Sequence, residues 1–135
     1  MKPLGWWLRH VHELLESSMA QALDAESLTR RHWQVLNTIS LGARTSADVD
    51  TAMSPFVAEE GSMTPKISDL RERGWVTKGD DFTLTDEGRT AHARVEERVQ
   101  SFRSAVTHDI SDDDYVTTVK TLEQCAANLE ALTTP

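Results

Sequence analysis

The chain is short of cysteine, of positive charge and of long apolar runs, and each shortage excludes something. Cys125 is the only cysteine in 135 residues, so no internal disulfide can staple the fold. That suits a reducing compartment, and the cytoplasm is the expected location. No apolar run approaches the ~20 residues of a membrane-spanning helix, so no membrane partner is expected. The opening MKPLGWWLRHVHELLE places charge and histidine inside its apolar spacing, unlike a secretory signal. Lys and Arg number 14 against 22 Asp and Glu, a net charge of -8. Such a balance excludes a protein that coats nucleic acid indiscriminately but leaves room for a local basic surface. There is no Cys-x-x-Cys, no His-Glu-x-x-His, no phosphate-cradling glycine loop and no nucleophile motif. His10 and His12 are two apart on a helix and point to different faces. No enzyme activity, metal or cofactor is therefore expected. Asp112 to Asp114 read as a helix-start run, and Cys125 beside two alanines as a small hydrophobe rather than a redox switch.

What the chain does have is helical periodicity. Leu4, Trp7, Leu8, Val11, Leu14, Leu15 and Met19 step by three and four, which predicts an amphipathic helix over about 3–23. Thr29 is placed to cap a second helix carrying Trp33, Leu36 and Ile39, with Gly42 to end it. Thr45 and Asp48 have capping-box spacing before a short helix with Val49 and Met53, which Pro55 is expected to end. After a loop, VAEEG, Ser62 or Thr64 is the expected N-cap of a helix that tolerates Pro65 in its first turn. Met63, Ile67 and Leu70 form its apolar stripe. WVTK and DFTLT then read as two short strands around a Gly79-Asp80 turn. Thr85 caps a long helix with Ala91, Val95, Val99, Phe102 and Val106. Ser111 caps the last, where Tyr115, Val119, Leu122, Ala126 and Leu129 step 4, 3, 4, 3 in a heptad-like seam.

Helix, turn, helix and then a small hairpin is the order of a winged helix, whose second helix enters the major groove while the hairpin flanks it. Three stretches sharpen this: RHWQVLNTI (31–39), DLRERGWV (69–76) and LTDEGRTAHARV (84–95). With the 110–132 tail they resemble the MarR family of transcriptional regulators over nearly the whole chain. The resemblance implies one domain over 1–135. Its fold class is mainly α with a β-hairpin wing, a winged-helix lobe at 25–88 and a helical dimerisation region at 1–24 and 89–135. It implies a homodimer, most often a repressor, bound to a palindromic double-stranded DNA operator and released by a small aromatic effector. The sequence departs from the family pattern in its short KGDD tip, which lacks an arginine, and in Pro65, where the family usually carries one.

The residues assigned to DNA contact are Arg44, Ser46, Ser62, Thr64, Lys66, Arg71, Arg73 and Lys78. Arg71 and Arg73 have the alternative of pairing with Asp69 or Glu72, and Asp69 reads as structural. Between residues 62 and 78 four cations face two acids, whereas from Glu96 onward three cations face eight acids. That split matches a basic reading head on an acidic dimer stem. Leu4, Leu8, Val11, Tyr115, Val119, Leu122 and Leu129 are assigned to dimerisation. Trp7, His10, His32 and Trp33 are assigned to an effector pocket, against the plainer reading of core tryptophans and surface histidines. The rival function is a winged-helix protein-interaction module, anti-repressor-like, that has lost DNA binding. A small-molecule carrier built on Trp7 and Trp33 is a third.

Overall fold

The computed structural model describes residues 1–133. It is mainly helical, with α1 (Leu4–Asp24), α2 (Arg30–Ser40), α3 (Ser46–Ala52), α4 (Ser54–Glu60), α5 (Thr64–Glu72), α6 (Asp86–Val106) and α7 (Asp112–Thr133). No membrane-length apolar helix occurs among the described residues. The chain divides into two compact units, Met1–Phe102 and a second that begins at Arg103.

Local chemistry sets the helix ends. The Thr29 hydroxyl accepts from the His32 backbone N–H at 3.2 Å, and Gly42 (φ +122) follows the last turn of α2. At α3 the capping box is complete: Thr45 Oγ accepts from Asp48 N at 3.1 Å, and Asp48 Oδ2 accepts from Thr45 N at 3.2 Å. Thr85 Oγ accepts from Gly88 N at the start of α6, and Ser111 Oγ from Asp114 N at the start of α7.

Two local expectations are corrected. Pro55 does not end the helical run. It sits in the first turn of α4, where its missing N–H would have had no partner anyway. Met53 closes α3 and opens α4 at φ -110, ψ 26, so most of the expected loop is helix. The N-cap of α5 is Met63, which gives no side-chain cap bond, rather than Ser62 or Thr64. Ser62 is drawn elsewhere, as described below.

The hairpin is also not built as expected. Among the described residues there is no strand, only an isolated antiparallel bridge between Val76 and Leu84. The reason lies in where the backbone donors go. Thr77 N bonds Thr83 O at 2.9 Å, but Phe82 N donates to Arg44 O at 2.7 Å, away from the opposite limb. Thr83 N is taken by the Thr77 hydroxyl at 2.9 Å. With both donors diverted, the ladder cannot propagate beyond one bridge. The result is an arm, residues 77–83, rather than a ribbon.

The first unit holds the core. Val35, Leu36, Val49, Ile67, Leu70, Phe82, Val95 and Val99 are buried almost completely, with Met53 and Met63 between them. Phe82 anchors the arm there. Glu26, in the α1–α2 turn, ties this unit together on its surface. Its carboxylate accepts from Arg94 at 2.9 and 3.1 Å and from Arg98 at 3.4 Å. The Arg94 hydrogen bond, against a smaller burial cost, holds the Glu26 carboxyl below its ordinary 4.5. A depressed carboxyl contributes stability above its unfolded pKa, and that contribution is lost as pH falls through the folded one. Melting of wild type and Glu26→Gln should therefore differ most near neutrality, wild type being higher. The gap should close as the pH falls through the ordinary glutamate value of 4.5 and below it. A gap independent of pH would show that the ion pairs are not its source.

In the second unit, Asp109 (φ +62) turns the chain after α6, and α7 has no buried residue along its 22-residue length.

Candidate nucleic-acid interface

Helix α5, expected from the sequence to enter the groove, is held at both ends by side chains from α2 and α3. Asp50, on α3, accepts from the Ser62 hydroxyl at 2.7 Å and from Met63 N at 2.8 Å. The same Ser62 hydroxyl meets Thr64 N at 3.2 Å and Thr64 Oγ at 2.9 Å. Asp50 thus fixes the start of α5 across the turn that α4 fills. Toward the other end, buried His32 of α2 donates from Nε2 to Asp69 Oδ2 at 2.9 Å, and its Nδ1 lies 2.6 Å from the Thr29 hydroxyl. The His32 hydrogen bond is also the main reason the Asp69 carboxyl lies below its ordinary value. Asp69 is accordingly a strut for α5, as its position in the sequence suggested.

Between these fixed points α5 turns its apolar stripe, Ile67 and Leu70, into the core. Thr64, Pro65 and Ser68 are exposed and Lys66 is half-exposed. Lys66 and Lys78 make no side-chain hydrogen bond among the described residues, so each is free to meet an anion.

The arginines assigned to DNA have other partners. Arg71 donates from Nε to Thr77 O at 3.1 Å and from Nη2 to Gly79 O, with its guanidinium 5.1 Å from the Phe82 ring centre. It braces the arm. Arg73 donates to Glu26 O at 2.7 Å and Ser27 O at 2.6 Å, and covers the Trp75 ring. It fastens the end of α5 to the α1–α2 turn. Neither makes an ion pair with Asp69 or Glu72. Arg44 pairs with Asp81 at the arm, Nε to Oδ1 at 3.2 Å. Ser46 opens α3 and is partly buried. The sequence concealed Asp50 and Asp81, because each meets a partner 12 or more positions away with no local pattern.

The residues assigned to an effector pocket separate into two pairs. Trp7 and His10 stand on the exposed N-terminal half of α1, with Trp6 between them in a T-shaped contact of 4.7 Å to Trp7. A shallow depression of about 210 Å³ lies there, lined by Trp6, Arg9, His10 and Glu13. His32 and Trp33 are buried in α2, and Trp33 stacks on His92 at 5.0 Å. Desolvation pushes the His92 imidazole below its ordinary value. The apolar positions assigned to dimerisation are mostly exposed: Leu8 at 44%, Val11 at 44%, Tyr115 at 53% and Leu129 at 63%.

A helix-turn-helix whose second helix shows its polar side to solvent, followed by an arm with a single bridge, is the arrangement of helix-turn-helix DNA-binding proteins. Residues 20–133 match the model of a helix-turn-helix family, and the chain belongs to that family. Its fold is that of MarR family proteins. The Mycobacterium tuberculosis MarR family protein Rv2887, solved in complex with DNA, is 24% identical with a TM-score of 0.70, over 93% of this chain and 98% of that one. The same protein solved with salicylic acid aligns at 25% identity and a TM-score of 0.61, over 91% and 98%. CouR from Rhodococcus jostii RHA1, bound to p-coumaroyl-CoA, gives 21% identity and 0.71, over 93% and 92%. The reduced form of MarR from E. coli gives 21% and 0.67, over 93% and 94%. No curated relative matches the sequence.

Proposed function

We propose that this protein is a cytoplasmic, homodimeric transcriptional repressor that binds a palindromic operator and is released by a small aromatic ligand. On this reading residues 25–88 form the reading lobe, and residues 1–24 and 89–135 pair two copies. The observation that carries it is the start of α5. Thr64 is exposed and Lys66 half-exposed on a helix whose position is set by Asp50 on one side and by the His32–Asp69 pair on the other. Base contacts come from the N-terminal residues of a recognition helix, and a helix held this rigidly meets a groove at little cost in ordering. Lys78 on the arm is placed for phosphate. Solved relatives holding DNA, salicylic acid and p-coumaroyl-CoA support both halves of the reading. Exposed apolar positions on α1 and α7 support the pairing.

The test is a selection of binding sites from a random duplex library with purified protein. The expected product is an inverted repeat with half-sites about one helical turn apart. Lys66→Glu and Lys78→Glu should each weaken binding at least tenfold and lower the salt slope by about one per lobe. Enrichment of nothing at low salt, by a folded protein, would reject DNA as the partner. One observation favours the rival interaction module in that event: Arg44, Arg71 and Arg73 are already engaged within the chain.

A further inference from the structure

The arm ends in two adjacent acids, Asp80 and Asp81, at the place where a winged helix meets the DNA backbone. They are not equivalent. Asp81 is paired with Arg44, Nε to Oδ1 at 3.2 Å and Nη2 to Oδ2 at 3.4 Å, and both side chains are more than half exposed. Asp80 has no ion pair or side-chain hydrogen bond among the described residues. We propose that Asp81 is an internal competitor for DNA phosphate: it holds Arg44 in the free protein and must release it when DNA binds. The inference rests on the DNA-binding reading above and adds a regulator to the same site.

The surrounding geometry makes the exchange a matter of side chains alone. The Arg44 backbone is fixed twice, its N–H donating to Asp48 Oδ2 at 3.0 Å and its carbonyl accepting from Phe82 N at 2.7 Å. Phe82 is buried in the core, and Arg71 holds the arm from the other side through Thr77 O and Gly79 O. The root of the arm therefore stays in place while the Arg44 guanidinium trades one oxyanion for another. Both oxyanions offer the paired acceptors a guanidinium fork prefers. The exchange has two consequences. The pair is solvent-exposed, so breaking it is cheap, on the order of a fivefold affinity penalty per lobe at most. In addition, the abandoned Asp81 carboxylate faces the phosphates and draws a cation from solution, which offsets one of the counterions the DNA gives up.

The experiment measures duplex-DNA affinity against salt for wild type, Asp81→Asn, Asp80→Asn, Arg44→Gln and the two double variants Arg44→Gln/Asp81→Asn and Arg44→Gln/Asp80→Asn, using one random-sequence and one selected duplex. Asp81→Asn should bind about three- to fivefold tighter per lobe than wild type, with a steeper salt slope by up to about one per lobe. Asp80→Asn removes the same charge one residue away and should gain less. In the Arg44→Gln background the advantage of Asp81→Asn over Asp80→Asn should vanish. Equal gains from the two asparagine variants, or an advantage of Asp81→Asn over Asp80→Asn that survives without Arg44, would overturn the competitor and leave only a screened acidic tip. Absence of binding by every variant at low salt would reject the DNA reading itself, which is a different result from binding that Asp81 does not modulate.

Discussion

Replacing Gly88 with alanine should cost the fold about 3 kcal/mol and lower its melting temperature by roughly 10 °C. The direction is opposite to helix propensity, because alanine in a helix interior is normally better than glycine by up to about 1 kcal/mol. Gly88 lies in the first turn of α6, buried where that helix crosses the chain entering the arm. A Cβ there would sit 2.0 Å from Trp75 O and 2.8 Å from its carbonyl carbon. The obstacle is backbone, so no rotamer change relieves it. Nor can that backbone retreat freely. Trp75 O accepts from Thr85 N at 3.0 Å, Gly74 O accepts from the Thr85 hydroxyl at 2.6 Å, and that hydroxyl in turn accepts from Gly88 N at 3.0 Å. Moving Trp75 away would break this closed set and lift two buried side chains, Trp75 and Val76, from the core. Gly5, with nothing within 4 Å of its Cβ position, is the control; Gly5→Ala should be neutral or slightly stabilising. Differential scanning calorimetry of the two variants decides the matter. A Gly88→Ala protein melting within a degree or two of wild type would mean the crossing is looser than described.

The same crossing shows what a sequence can disclose about this molecule. LTDEGR placed Thr85 as a cap and Gly88 inside a helix, because cap and helix signals are local. Thr29, Thr45 and Ser111 were legible for the same reason. The arm was not, because a strand forms only if its donors find the opposite limb. Phe82 N finds Arg44 O instead, 38 residues back in the chain. Pro55 misled through a symmetry in its own chemistry, since proline that ends one helix is equally suited to begin the next. In the site, the partners that the assigned arginines engage were not legible. Nothing near Arg73 in sequence announces that its guanidinium will reach Glu26 O and Ser27 O, 47 and 46 positions away. The His32–Asp69 strut spans 37 positions in the same way. Charge counting over residues 62–78 does not show that tertiary contacts engage Arg71 and Arg73 within the chain.

A second large effect is expected from Val119→Asp, which should turn the proposed dimer into a monomer and weaken binding to the proposed two-half-site operator by about 10²- to 10⁴-fold. The argument starts from surface that water should not be left to cover. Tyr115, Val119 and Leu129 are exposed on α7, and Leu4, Leu8 and Val11 on α1, together with Trp7 and Leu14. Isolated exposed apolar residues are ordinary, but repeated ones along a helix face mark an interaction surface. The 4, 3, 4, 3 spacing on α7 is the one that lets a helix meet another along its length. A carboxylate at position 119 would have to be desolvated in that seam without a partner, at a cost of several kcal/mol per copy. The core of the Met1–Phe102 unit, which contains no α7 residue, should be untouched. Each separated lobe should then keep its own affinity for a half-site, while the gain from two linked lobes on two half-sites is lost. Sedimentation velocity at micromolar protein, paired with titration of a full and a half operator, measures both quantities. Leu8→Asp on α1 provides an independent route to the same state. The expected pattern is monomers from both variants, near-wild-type half-site binding and a collapse of the full-operator advantage. Wild type sedimenting as a monomer, or Val119→Asp remaining a dimer with full affinity, would move the pairing surface elsewhere.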